Sequence, residues 1–104
     1  MPELFHIENF NLAARIFRAI NHPLRQKMLQ LIHKHNAMSV TDLYVSLRLE
    51  QSVASQHLSI LRKAGFVKTH RDGKQIFYSI YYERLNELKK ISQLLISVFN
   101  VSLN

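Results

Sequence analysis

The chain of 104 residues contains no cysteine. Disulfides, thiolate metal centres and thiol redox switching are therefore excluded within it. Glycine and proline are almost as scarce, at two each, and the sequence shows no Gly-rich phosphate loop, linker or low-complexity tract. No apolar run approaches the roughly 18 residues that a membrane-spanning helix needs, and no signal peptide is recognisable. Negative charge is the remaining shortage. Seven acidic residues stand against 14 Lys and Arg, a formal net charge of +7, which favours a polyanionic partner, nucleic acid or an anionic membrane surface. A basic protein without such a partner would show the same composition. The expectation from this frame is one cytoplasmic domain, residues 1–104, with a modest core and no membrane partner.

The few glycines and prolines mark boundaries. Pro23 opens a periodic run in which Leu24, Met28, Leu31 and Ile32 share a face; proline in the first helical turn loses no hydrogen bond. Before it, Phe10, Ala13, Ala14, Phe17 and Ile20 describe a helix from about Glu8 to Ile20. Ser39, with Asp42 three residues on, has a capping-box arrangement and begins a third helix whose inner side carries Leu43 and Leu47. Gly65 ends a fourth helix just after Arg62 and Lys63, whose charges suit the negative end of a helix. Phe66 to Arg71 and Lys74 to Ile80 flank Asp72-Gly73, a strong hairpin signal. A two-residue turn there pairs Thr69 with Ile76, Val67 with Tyr78 and His70 with Gln75. From Tyr82 to about Phe99, a last helix carries an apolar stripe of Leu85, Leu88, Ile91, Leu94, Leu95 and Val98.

The predicted fold is therefore mainly α with a small β-hairpin, in the order α-α-α-α-β-β-α. Both terminal helices have wide apolar faces that a three-helix core and a hairpin are too small to cover. Such stripes usually mark an interface. The expectation is a homodimer through Phe10, Phe17, Leu88, Ile91, Leu95 and Val98; the alternative is that both helices fold back on their own core.

The segment from Ser39 to Ile80 is the most informative. In its second helix Ser52, Ser55, Gln56 and Ser59 fall at i, i+3, i+4 and i+7, one face of a helix, while Ala54, Leu58 and Leu61 lie opposite. Short hydrogen-bonding side chains on one side and an apolar stripe on the other suit a helix laid in a DNA groove. Water would tolerate that polar face as well. Its position between a helix-turn-helix bend and a basic hairpin gives it weight.

The phrases Pro23-Leu24-Arg25, Gln51-Ser52-Val53-Ala54-Ser55-Gln56-His57-Leu58, Leu61-Arg62-Lys63-Ala64-Gly65-Phe66-Val67 and Arg71-Asp72-Gly73-Lys74-Gln75 resemble the arsenical-repressor (ArsR-type) winged helix-turn-helix regulators. The string from Ser55 to Val67 is the specific part. The resemblance implies a dimeric transcriptional repressor on double-stranded DNA, its fourth helix in the major groove and its hairpin on flanking backbone or minor groove. Carried over by position, Gln51, Ser52, Ser55, Gln56 and His57 lie on or beside the reading helix, and Arg71 and Lys74 at the wing tip. The chain departs from the family where its metal switches lie. The cysteine-bearing third helix reads Ser39-Val40-Thr41-Asp42-Leu43 here, and no histidine follows His70. Glu50 stands where relatives usually have a serine cap. The expectation is DNA binding without those metal switches, with room for an unspecified small-molecule effector.

Phosphate contacts supply affinity and register, whereas base-edge contacts supply sequence choice. Arg62, Lys63, Lys68, Arg71 and Lys74 are the basic residues of this segment. Arg71 and Lys74 are assigned to phosphate or minor groove; Arg62 could equally brace the helix through an acidic neighbour. Gln56 is the best base reader, since its amide can pair with adenine N6 and N7. Ser52 and Ser55 suit a base edge, a phosphate or a local cap. His57 borders both the buried side and the stripe, and a packed, hydrogen-bonded role fits it better than base reading.

Other chemistries find little support. His33 and His35 are two apart, which turns them about 200° from each other on a helix, so they cannot share one ion. The bland reading of all six histidines is capping, surface or phosphate contact, and no metal site is assigned. Neither a Gly-x-Ser-x-Gly elbow nor a His-Glu-x-x-His pair occurs. Glu83 and Glu87 share a helix with Arg84, Lys89 and Lys90, which reads as a solvated face. No enzyme activity and no cofactor are expected. The competing functional reading is a winged helix serving as a protein-interaction module or as a non-specific nucleic-acid binder.

Overall fold

A computed structural model describes residues 2–102; the outer limits of the expected domain, residues 1 and 104, lie outside that range. Five helices and three strands follow one another as α1 (Ile7–Ile20), α2 (Pro23–His35), β1 (Met38–Ser39), α3 (Val40–Leu47), α4 (Gln51–Lys63), β2 (Val67–Asp72), β3 (Gln75–Ile80) and α5 (Tyr82–Val98). The expected punctuation is present in the backbone. Pro23 sits in the first turn of α2, and the Ser39 hydroxyl accepts the Asp42 N–H at 3.1 Å to start α3. At the end of α4, Phe66 N–H reaches the Leu61 carbonyl at 2.9 Å and Gly65 N–H the Arg62 carbonyl at 3.0 Å. This double closure needs a left-handed residue, which Gly65 supplies with φ 86°.

The core lies where α2, α3 and α4 meet the base of the hairpin. Met28, Ile32, Leu43, Ala54, Leu58 and Leu61 are fully buried, and Phe66, Val67 and Ile80 nearly so. On α2 the inward side runs Arg25, Met28, Leu29, Ile32, a rotation of the expected face that leaves Leu24 and Leu31 at its edge.

The sheet differs from expectation in two ways. Met38–Ser39 adds a short strand, pairing antiparallel with β3 so that the strand order is β1-β3-β2. The hairpin register also corrects the expected one. Val67 pairs with Ile80, Thr69 with Tyr78, His70 with Phe77 and Asp72 with Gln75, which makes Gly73 and Lys74 the central turn residues. Gly73 has φ 62° while Lys74 is not among the positive-φ residues, the signature of a II′ turn. The physical reason lies at the hairpin base, where this register sets the two buried residues Val67 and Ile80 side by side. The alternative would have paired Val67 with half-buried Tyr78 and left Ile80 beyond the ladder. Because every partner moves by two residues, each side chain keeps its expected face.

The terminal helices stand outside this core. Ala19 is the only buried residue of α1, and α5 has none. Phe10, Leu12, Ile16, Ile91, Leu94, Leu95 and Val98 are exposed apolar residues. The radius of gyration is 16.2 Å, against about 13 Å for a compact domain of some 100 residues.

Candidate nucleic-acid interface

α3 and α4 are joined by a tight bend rather than a loop. Arg48 adopts the left-handed conformation at φ 55°, ψ 45°, with its own N–H on the Val45 carbonyl at 3.2 Å and the Leu49 N–H on Tyr44 at 2.9 Å. This bend presents α4 with Ala54, Leu58 and Leu61 inward and Gln51, Ser52, Ser55 and Gln56 exposed. Ser59 is half-buried at the stripe's far end. No side chain caps the N-terminus of α4, since Glu50 makes no capping hydrogen bond. The first-turn N–H groups are left free to meet an anion, although the Glu50 carboxylate beside them opposes one.

The hairpin extends from the far end of α4. Lys68, His70 and Arg71 are exposed along β2, and Lys74 occupies the turn itself. The observed register thus puts Lys74 at the tip rather than at the start of a strand. His70 stacks on Phe77 with ring centroids 5.5 Å apart and planes at 19°, stiffening the middle of the wing. At its base Lys68 Nζ and the Arg84 guanidinium both lie over the Tyr81 ring, at 5.5 and 5.2 Å. Among the described residues no Lys or Arg pairs with a carboxylate; the ion pairs join His6 to Glu3 and Glu8. Arg62 accordingly has no acidic brace and stays exposed beside Lys63.

His57 is placed differently from its neighbours on α4. It is half-buried, and its Nδ1 lies 3.2 Å from Arg25 Nη1. Its ring is tilted against His22 at 4.9 Å. Burial first, then the His22 and Arg25 charges, hold its pKa below the usual 6.5. Arg25 is a buried residue that sequence reasoning treated only as part of a phrase. A signal for it existed, because Arg25 stands three, four and seven residues before Met28, Leu29 and Ile32, at core spacing on α2.

No group of three or more His, Asp or Glu side chains among the described residues is placed to hold a metal ion. His33 instead meets the Tyr82 hydroxyl, Nδ1 to oxygen 2.6 Å, tying α2 to α5. An open groove of about 550 Å³ among α1, α4 and the start of α5 is lined by apolar Leu12, Ile16 and Ile60 together with Arg15, Lys63 and Arg84.

A helical pair joined by a tight bend, backed by a third helix and followed by a basic hairpin, defines a winged helix-turn-helix DNA-binding fold. The comparisons with known proteins agree. Residues 22–69 match the family described as bacterial regulatory protein, arsR family. An uncharacterized HTH-type transcriptional regulator of Methanocaldococcus jannaschii is 36% identical over 85 residues, covering 82% of this chain and 96% of that protein. The crystal structure of NolR from Sinorhizobium fredii superposes with a TM-score of 0.71 at 32% identity, over 98% of this chain and 100% of the other. That of the transcriptional repressor PagR of Bacillus anthracis gives 0.64 at 31% identity, over 83% and 98%. The chain belongs to the arsR family, and it is a transcriptional regulator with a winged helix-turn-helix fold.

Proposed function

We propose that the protein is a cytoplasmic homodimeric repressor that reads a palindromic operator with α4 and steadies itself on the flanking backbone with its wings. The observation that carries this reading is the exposed Ser52-Ser55-Gln56 stripe on a helix whose other face is fully buried, set beside cations that pair with no carboxylate among the described residues. Gln56 is the base reader, with Ser52 and Ser55 on base edges or phosphates and Gln51 and Ser59 flanking them. Arg62, Lys63, Arg71 and Lys74 take phosphate, and His57 serves from beneath. Dimerisation is supported by the apolar faces of α1 and α5 and by the extended shape of the single chain. Phe10, Phe17, Leu88, Ile91, Leu95 and Val98 form the joint. Two-fold symmetry then sets the half-sites about one helical turn, ~34 Å, apart. A small-molecule effector would be sought at the groove lined by Arg15, Lys63 and Arg84.

Fluorescence anisotropy on the protein's own upstream DNA and on a scrambled duplex, in EDTA and over a salt series, tests the reading. A salt-dependent preference for the native fragment is expected. Gln56→Ala should relax preference at one base at a cost of about 1–3 kcal/mol, whereas Lys74→Ala should weaken all sequences alike and lower the salt slope by about one. Equal binding to both duplexes by the wild type and both variants would point to non-specific affinity. No binding at low salt would favour a protein-interaction module.

A further inference from the structure

Arg25 is a buried charge in the core, and among the described residues no carboxylate pairs with it. Its guanidinium is satisfied by three acceptors from elsewhere in the fold. Nε donates to the Ala19 carbonyl at 2.6 Å and Nη2 to the Arg18 carbonyl at 2.9 Å. Both carbonyls belong to the last turn of α1, the negative end of that helix, so the helix dipole stands in for a counter-ion. The third contact, from Nη1, ends on His57 Nδ1 at 3.2 Å. Arginine has no lone pair to offer, so His57 must accept there, with its proton on Nε2. His22 completes the cluster: its Nδ1 accepts the Leu24 and Arg25 N–H groups at 3.1 and 3.5 Å, capping α2. One side chain therefore ties the end of α1 and the start of α2 to the middle of the reading helix.

We propose that the Arg25–His57 contact is the positioning element that sets α4 against the rest of the fold, and that protonation of His57 releases it, so that acid weakens operator binding. An imidazolium would carry a proton on Nδ1, facing the Arg25 guanidinium, another cation, 3.2 Å away. The groups facing His57 are His22 from the α1–α2 turn and Arg25 from α2, with the Arg18 carbonyl behind them. On α4 itself the positions three and four away are Val53, Ala54, Ile60 and Leu61, none ionisable. Both ionisable neighbours oppose a second positive charge, and the α1 carbonyls nearby already serve Arg25. The depressed pKa of His57 has the matching sign. Because the folded state binds this proton less readily than the unfolded chain, the stabilisation is complete above about pH 6.5 and is lost as pH falls toward the lower folded value.

The inference rests on the DNA-binding reading, and its sign separates it from ordinary electrostatics. Protonating surface histidines adds positive charge and should tighten attraction to phosphate. The test is operator anisotropy at pH 7.5 and 5.5 and constant ionic strength, for the wild type and for His57→Asn, whose amide oxygen accepts near the Nδ1 position but does not titrate. Wild-type affinity should fall about tenfold on acidification, while H57N should keep or gain affinity. A wild-type rise, or an equal fall in H57N, overturns the proposal. Hydrogen exchange of the α4 amides without DNA reads the same contact independently. Lower protection of the α4 amides at pH 5.5 than at pH 7.5, once the slower intrinsic exchange at acid pH is divided out, in the wild type but not in H57N supports the release, and unchanged protection refutes it. Failure to bind any duplex at pH 7.5 would defeat the functional reading, leaving exchange to decide the positioning claim.

Discussion

α4 and α5 are both amphipathic, yet they end in opposite situations. The apolar side of α4 disappears entirely, with Ala54, Leu58 and Leu61 all at 0% exposure. α5 is longer and its stripe is at least as apolar, but no residue on it is buried, and Ile91 is 50% exposed. The difference is the partner. α4 is enclosed by α2, α3 and the hairpin base within one chain, whereas only Leu85 and Leu88 of α5 pack against that core. An amphipathic pattern thus announces that a helix will be covered without saying by what.

The comparison is most sharply tested at Leu58. Leu58→Ala should cost about 2–5 kcal/mol of folding stability in denaturant unfolding, because the site is enclosed on all sides and can collapse little. A loss under about 1 kcal/mol would mean the α4 face is less enclosed than it looks. At Leu95, 42% exposed in the single chain, Leu95→Glu should leave the protomer folded but place like charges across a two-fold joint. Sedimentation should show a dimer turning into a monomer, by about 2 kcal/mol or more of association energy, and a melting temperature that no longer rises with concentration. A variant that remains dimeric would put α5's stripe somewhere other than the interface. The smallest effect is expected at Ser39, where Ser39→Ala removes the α3 cap for about 1 kcal/mol and slightly loosens the bend that aims α4. An unchanged unfolding midpoint would show that β1 alone fixes that helix start.

What the sequence made legible follows the same division. Local chemistry was readable wherever one residue type answers one backbone need. Ser39 as a cap, Pro23 in a first turn and Gly65 in a left-handed closure are of that kind. β1 was not readable, because two residues cannot display alternation, and its pairing with Phe77 and Tyr78 is non-local. The hairpin register departs from the sequence expectation for a related reason. Asp72-Gly73 announces a turn, but which two residues occupy its centre was decided by packing of Val67 and Ile80 at the far end. Within the interface, the exposure of Ser52, Ser55 and Gln56 followed from helical spacing, whereas the engagement of His57 required Arg25, 32 residues away.

The unpaired cations have a consequence for the free protein. With a net charge of +7 and no Lys or Arg matched to a carboxylate among the described residues, the folded chain pushes against itself. Added salt relieves that strain and should raise the unfolding temperature of the free protein, while the same salt competes with duplex for the same side chains. Stability and affinity therefore respond to ionic strength with opposite signs. Once bound, the duplex supplies the counter-charge that the sequence omits, so the regulator should be at its most robust when seated on DNA in dilute buffer.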